Sequence, residues 1–92
     1  MGKVDCISLP GLSLWFNSND HRPPHFHAEK ADRWEVSVRF LMEAADMITV
    51  EWGDGPSGKE RKALIRLAEE YRFELLVEWE RKVNPRDPGP ER

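Results

Sequence analysis

A strict alternation of apolar and polar side chains near the middle of the chain constrains the fold more than any other feature. Trp34, Val36, Val38 and Phe40 fall on one side of this stretch, and the residues between them are polar or charged. Successive side chains of a β-strand point to opposite faces, so the pattern predicts a strand with one face in the core. Such a strand needs neighbours in a sheet, and its polar face stays open to solvent.

Three further stretches repeat the two-residue pattern and predict strands of the same sheet. Their core-facing residues are Leu12, Leu14 and Phe16, then Phe26 and Ala28, and finally Ile48, Val50 and Trp52. A shorter apolar stretch from Val4 to Leu9 is either an edge strand or a lead-in, and Pro10 with Gly11 ends it. The sequence therefore predicts an antiparallel sheet of three or four strands.

A long helix is expected after the last strand. Ser57 and Glu60 have the spacing of a capping box, in which the Ser57 hydroxyl accepts from the Glu60 amide and the Glu60 carboxylate reaches back. An apolar stripe at three- and four-residue steps then continues to about Val83. Its members are Leu64, Leu67, Ala68, Tyr71, Leu75, Trp79 and Val83. This stripe is expected to cover one face of the sheet.

The predicted fold class is α+β, with one face of the antiparallel sheet packed on a long C-terminal helix. We expect a single domain over residues 4–83, because a chain of 92 residues has room for one core. Asn84 and Pro85 end the helix, and residues 84–92 are expected to form a disordered tail. The charged residues of the helix, Glu78 and Lys82 among them, are expected to form a solvated face.

The uncovered face of the sheet is where a function is expected. Strand parity places on it Ser13, Trp15, His25, His27, Glu29, Glu35, Ser37, Arg39, Thr49 and Glu51. For the central hairpin we favour the register that sets His27 opposite Glu35 and Glu29 opposite Arg33, because it pairs unlike charges. The next register of the same parity would set Glu29 against Glu35.

All three histidines of the chain, His21, His25 and His27, lie within a stretch of seven residues. On a strand, His25 and His27 share a face with Cβ atoms roughly 6 to 7 Å apart, close enough to bind one zinc or nickel ion. His21 or Glu29 could supply a third ligand. We favour the alternative that these histidines are structural, hydrogen-bonded residues, and acid–base catalysis is a third interpretation. No cofactor is expected unless the histidines hold zinc or nickel.

Composition limits the function classes further. The net charge of −3 gives no general attraction to nucleic acid or to anionic lipid. No apolar run approaches the roughly 18 residues of a membrane helix. The only cysteine, Cys6, cannot form an internal disulfide and is expected to be a small core residue, as in a cytoplasmic protein.

A match to the phosphate-binding loop can be set aside. The stretch from Gly53 to Lys59 has the glycine and lysine spacing of such a loop. Glu60 comes next, however, where a serine or threonine would hold magnesium, and its carboxylate would repel phosphate. The capping box accounts for Glu60 without a nucleotide.

The stretch from Phe16 to Glu29 resembles a known bacterial family, the domain of unknown function 4160. The residues on which the resemblance rests are Asp20-His21 followed by Pro23-Pro24-His25-Phe26-His27, after a strand that ends in Phe16. Glu74-Leu75 and Trp79 look like the family's closing Glu-Leu and tryptophan, and the resemblance covers about Leu9 to Lys82. It implies a small cytoplasmic bacterial protein without an established activity, often encoded beside another small protein in pairs that look like toxin–antitoxin modules. It implies no catalytic residue.

We therefore expect a non-catalytic module that binds a small protein encoded by an adjacent gene. Its surface is expected to include Trp15, His25, His27, Glu29, Glu35 and Arg39. The alternative is a metal-binding protein or metal-dependent hydrolase, such as a nuclease, with ligands drawn from His21, His25, His27 and Glu29. Binding to nucleic acid or a membrane is not expected, and an exposed sheet edge is compatible with a homodimer.

Overall fold

A computed structural model describes residues 2–18 and 21–83. Its elements are β1 (Gly2–Lys3), β2 (Ser13–Phe16), β3 (Phe26–Lys30), β4 (Trp34–Val38), α1 (Ala44–Met47), β5 (Ile48–Gly53), α2 (Gly58–Glu70) and α3 (Arg72–Lys82). The five strands form one antiparallel sheet in chain order, from β1 at one edge to β5 at the other. The α+β class and the antiparallel sheet are confirmed, although the expected count of three or four strands is too low.

The core lies between one face of the sheet and helices α2 and α3. The buried residues of β2, β3 and β4 that meet the helices are Leu14, Phe16, Phe26, Ala28, Trp34, Val36 and Val38. Leu64 and Ala68 of α2 and Leu75 and Trp79 of α3 belong to the same cluster. The alternation in the sequence therefore identifies the buried face of these three strands.

The helical region differs from the predicted single helix, because Tyr71 separates α2 from α3. The capping box at Ser57 and Glu60 is confirmed in both of its hydrogen bonds. At the break, Tyr71 has a ψ of 25°, and the adjacent Arg72 donates from Nε to the Phe40 carbonyl at 2.7 Å. This contact to the loop after β4 has no signature in the helix sequence, which explains why the sequence predicts one continuous helix.

The predicted register of the β3–β4 hairpin is wrong. Glu29 lies opposite Glu35, and His27 lies opposite Ser37. The turn is closed by a hydrogen bond from the Arg33 N–H to the Lys30 carbonyl. Apolar cross-strand packing and turn geometry decide the register here, since a surface pair of like charges costs only about 0.2 to 1 kcal/mol.

The predicted orientation of β5 is wrong after its first residues. A bulge between the pairs Val36–Val50 and Glu35–Trp52 leaves Glu51 as an extra residue. One extra residue reverses the parity of the residues after it, so Trp52 points to the polar face and not to the core. Val50 keeps the helix side of the sheet but is exposed, because β5 lies at the edge.

The structure describes the N-terminal end of the predicted domain but not the predicted tail. The stretch from Val4 to Leu9 contains no strand, and the edge strand β1 lies just before it. The expected tail, residues 84–92, lies outside the described residues, as does Asp20. None of the helices in the described part of the chain has the length and apolar character required to cross a bilayer.

Candidate functional site

The polar face of the sheet presents two rows of side chains that run across the strands. We call this surface, opposite the helices, the open face. The first row runs from β2 to β5 through Trp15, His27, Ser37 and Thr49. The second row runs in the same direction through Ser13, Glu29, Glu35 and Trp52. Each row therefore contains a tryptophan, one on β2 and one on β5.

His27 is the centre of the open face and is only 8% exposed. The Trp15 ring stacks on it, with ring centroids 5.4 Å apart and planes inclined by 20°. Asn17 Nδ2 lies 3.2 Å from His27 Nε2, and Glu35 Oε2 lies 3.6 Å from Nδ1. The Asn17 amide group faces Nε2, and Nδ1 faces the Glu35 carboxylate. His27 is thereby held in one orientation.

Glu29 and Glu35 form a pair of like charges in the second row. Glu35 accepts a hydrogen bond of 3.3 Å from the Trp52 indole N–H, which fixes Trp52 on the open face. The Glu29 side chain makes no hydrogen bond or ion pair with another residue in the described ranges, although its backbone is part of the sheet. Within residues 2–18 and 21–83, the groups that face the charge of this row are the Trp52 indole and the His27 ring, both at Glu35.

His25 lies at the end of the sheet, where the open face meets the helical side. Its ring is 5.1 Å from the His27 ring and 5.6 Å from that of the buried Trp79, measured between centroids. Its Nδ1 donates to the Pro23 carbonyl at 2.8 Å, which orients the imidazole. His25 therefore connects the open face to helix α3 and does not simply point into solvent, as strand parity suggests.

A cleft of about 300 Å³ lies beside His25. Its polar lining includes His21, Arg22, His25, Arg39, Thr49 and Glu51. Arg39 donates from Nη2 to Thr49 Oγ1 at 2.6 Å, and Ser37 Oγ donates to Glu51 Oε2 at 2.6 Å. The cleft contains both cationic and anionic groups, so it suits a polar side chain better than an apolar ligand.

The structure brings some of the predicted metal ligands together. His25 and His27 are in ring contact, and His21 lines the same cleft as His25. Glu29 lies two residues further along β3, beside Glu35. Among residues 2–18 and 21–83, no group of three histidine, cysteine, aspartate or glutamate side chains is close enough to hold a metal ion.

Sequence reasoning missed two members of the open face. The alternation predicts Trp52 in the core, but this residue is 44% exposed beside Glu35. A glycine within a strand is a known sign of a bulge, so Gly53 is the only residue whose type indicates that Trp52 points to the other face. Nothing in the sequence indicates that Asn17, just after β2, contacts His27.

Comparison with protein families gives a match over most of the chain. The family model described as "Domain of unknown function (DUF4160)" matches residues 11–80, which include β2 to β5, α2 and most of α3. No curated protein and no solved structure gives a significant match. The matched stretch covers more than half of the chain and contains every strand of the open face except β1, and on this basis the chain belongs to the DUF4160 family.

Proposed function

We propose that the chain is a non-catalytic module that binds a small protein through its open face. The observation that carries the proposal is the position of two tryptophans on the sheet surface opposite the helices, Trp15 on β2 and Trp52 on β5. Large aromatic side chains on an exposed surface are typical anchors of protein–protein interfaces. The partner that we propose is encoded by an adjacent gene, in a pair of the toxin–antitoxin type.

The polar residues between the tryptophans support this proposal. His27 is already oriented by Trp15, Asn17 and Glu35, and Glu35 is held by Trp52. Side chains that are ordered before binding lose less conformational entropy when a partner docks. Glu29 has no ion pair among residues 2–18 and 21–83, and its charge favours a partner that presents arginine or lysine to the second row.

The test is a calorimetric titration of the purified chain with the protein encoded next to it. Trp52→Ala and Trp15→Ala should each weaken binding by at least about ten-fold, since interface tryptophans commonly contribute more than about 1.4 kcal/mol. Phe73→Ala is the matched control, because Phe73 is an exposed aromatic residue on α3 and is 74% exposed. Undiminished binding by both tryptophan variants would contradict the proposed surface.

A second candidate function, metal binding, is favoured by the contact between His25 and His27. Two imidazoles at a centroid separation of 5.1 Å can supply two of the ligands of a zinc or nickel ion. Titration of tag-free protein with either ion, followed through the histidine ring resonances, tests it. Stoichiometric binding that His25→Ala and His27→Ala abolish together would support this function, and the absence of saturable binding would exclude it.

A further inference from the structure

The outer edge of β5 differs from the other edge of the sheet. β5 has six residues, and all of them except Ile48 are exposed. β1 has two residues, and Lys82 of α3 donates to the Lys3 carbonyl there at 2.8 Å. Of the two edges, β5 is therefore the longer and the less protected.

The β5 edge has one feature that normally keeps a strand edge from pairing, the bulge at Glu51, and it lacks the usual protective residues. Proteins usually place lysine or proline on such strands, and Ile48–Gly53 contains neither. Its one charged residue, Glu51, is held on the open face by the Ser37 hydroxyl at 2.6 Å. Ile48, Thr49 and Val50 pair regularly with β4, and the bulge begins only after them. A regular strand edge with exposed Val50 thus remains available.

We propose that β5 of a second copy of this chain pairs antiparallel with this edge, about a two-fold axis at Val50. In this register Val50 lies opposite its own copy, and Thr49 lies opposite Glu51 on the open face. The register centred on Glu51 would oppose two carboxylates, which is unfavourable. The register centred on Thr49 would place Met47, a buried residue of α1, in the strand pair. The Val50 register therefore avoids both costs and sets the exposed Val50 side chains of the two copies side by side.

Pairing about this axis continues the sheet from one copy into the other. A two-fold axis perpendicular to the sheet keeps the helices of both copies on one side and their open faces on the other. Trp52 of each copy then lies near the axis. The inference does not depend on the proposed partner, because this pairing uses the backbone edge of β5 and the partner would contact side chains of the open face.

Sedimentation equilibrium of the tag-free full chain tests the proposal. The strand contact is small, so association should be weak, with a dimer forming between about 10 μM and about 1 mM protein. Val50→Lys should leave a monomer over this range, because two ammonium groups would face each other. Val77→Lys on α3 is the matched control, since Val77 is 42% exposed and Val50 is 46% exposed, and it should dimerise normally.

A second variant separates loss of pairing from loss of folding. Thr49→Glu would place carboxylates opposite each other in both halves of the contact, and it should weaken dimerisation at least about ten-fold. Circular dichroism reports whether each variant keeps its fold. A wild-type chain that stays monomeric over the whole range overturns the proposal, and so does a folded Val50→Lys variant that dimerises like the wild type.

Discussion

Glu78 holds the backbone of Cys6 through a hydrogen bond of 2.7 Å from the Cys6 N–H to Oε2, across 72 residues of sequence. The neighbouring Asp5 N–H donates to Oε1 at 2.8 Å, and Lys82 donates to the carboxylates of both Glu78 and Asp5. We call these four residues the clasp. It joins the segment after β1 to helix α3, and Glu78, expected in the solvated face of the helix, is only 6% exposed.

Removal of the Glu78 charge should destabilise the protein. In Glu78→Gln, an amide group replaces a carboxylate that accepts two backbone hydrogen bonds. The NH2 group of the amide cannot accept, so one of the two backbone N–H groups loses its acceptor. The free energy of unfolding in urea should fall by about 1 to 3 kcal/mol. Glu80→Gln on the exposed side of the same helix is the control and should change it by less than about 0.5 kcal/mol. Equal stability of both variants would show that the Glu78 carboxylate contributes nothing to the free energy of unfolding.

The clasp should also make the protein sensitive to acid. Burial alone would raise the pKa of Glu78, but the hydrogen bonds from the Asp5 N–H, Lys82 and Cys6 outweigh it and hold the pKa below its ordinary value. Because the folded pKa is the lower one, this stabilisation is present above the unfolded value of about 4.3 and is lost as the pH falls through the folded pKa.

The urea midpoint measured between pH 7 and pH 2 checks this expectation. The wild type should lose stability below about pH 4.3, and the Glu78→Gln variant should show a shallower loss over the same interval. Asp5 contributes in the same direction, since its hydrogen bond from Lys82 lowers its pKa. Parallel curves for the wild type and the variant would assign the acid sensitivity to other carboxylates.

Cys6 should be a slow nucleophile. Burial, followed by its hydrogen bond to the Glu78 carboxylate, raises the pKa of the Cys6 thiol to about 12, so very little thiolate is present at neutral pH. Alkylation by iodoacetamide at about pH 8 should be at least about 100-fold slower than for free cysteine. Unfolding in urea should restore the ordinary rate, and mass spectrometry follows both reactions. A folded protein that reacts at the rate of free cysteine would contradict this environment.

Gly53 should not tolerate a side chain. Its φ is +85°, and a Cβ atom there would lie 2.1 Å from the Arg33 carbonyl oxygen. Gly53→Ala should therefore lower the free energy of unfolding by about 3 kcal/mol, from backbone strain and from the clash together. Gly11 has a φ of +82° with no atom near its added Cβ, so Gly11→Ala measures the strain alone, at about 1 kcal/mol. Equal losses at the two positions would show that the clash is relieved without cost.

The sequence predicted the parts of the fold that depend on local pattern. The alternation at Trp34 to Phe40 identified a buried face, and the spacing of Ser57 and Glu60 identified the start of a helix. Trp15 and His27 were correctly placed on one face, because strand parity alone decides that relation.

The parts that depend on contacts between distant segments were not predictable. The hairpin register followed the packing of apolar pairs such as Phe26 with Val38, and the surface charges did not decide it. The bulge that moves Trp52 requires knowledge of how β5 meets β4. The role of Glu78 depends on a segment more than 70 residues away. Nothing in the helix sequence distinguishes Glu78 from the other glutamates of the helix.

The order of the strands has a consequence for the nascent chain. Each strand pairs with its neighbours in sequence, so the sheet can assemble by successive hairpins as synthesis proceeds from the N-terminus. The clasp cannot form until Glu78 and Lys82 have left the ribosome. Until then only the two paired residues of β1 shield the outer edge of β2, and a partly synthesised chain is open to mispairing and to chaperones at that edge.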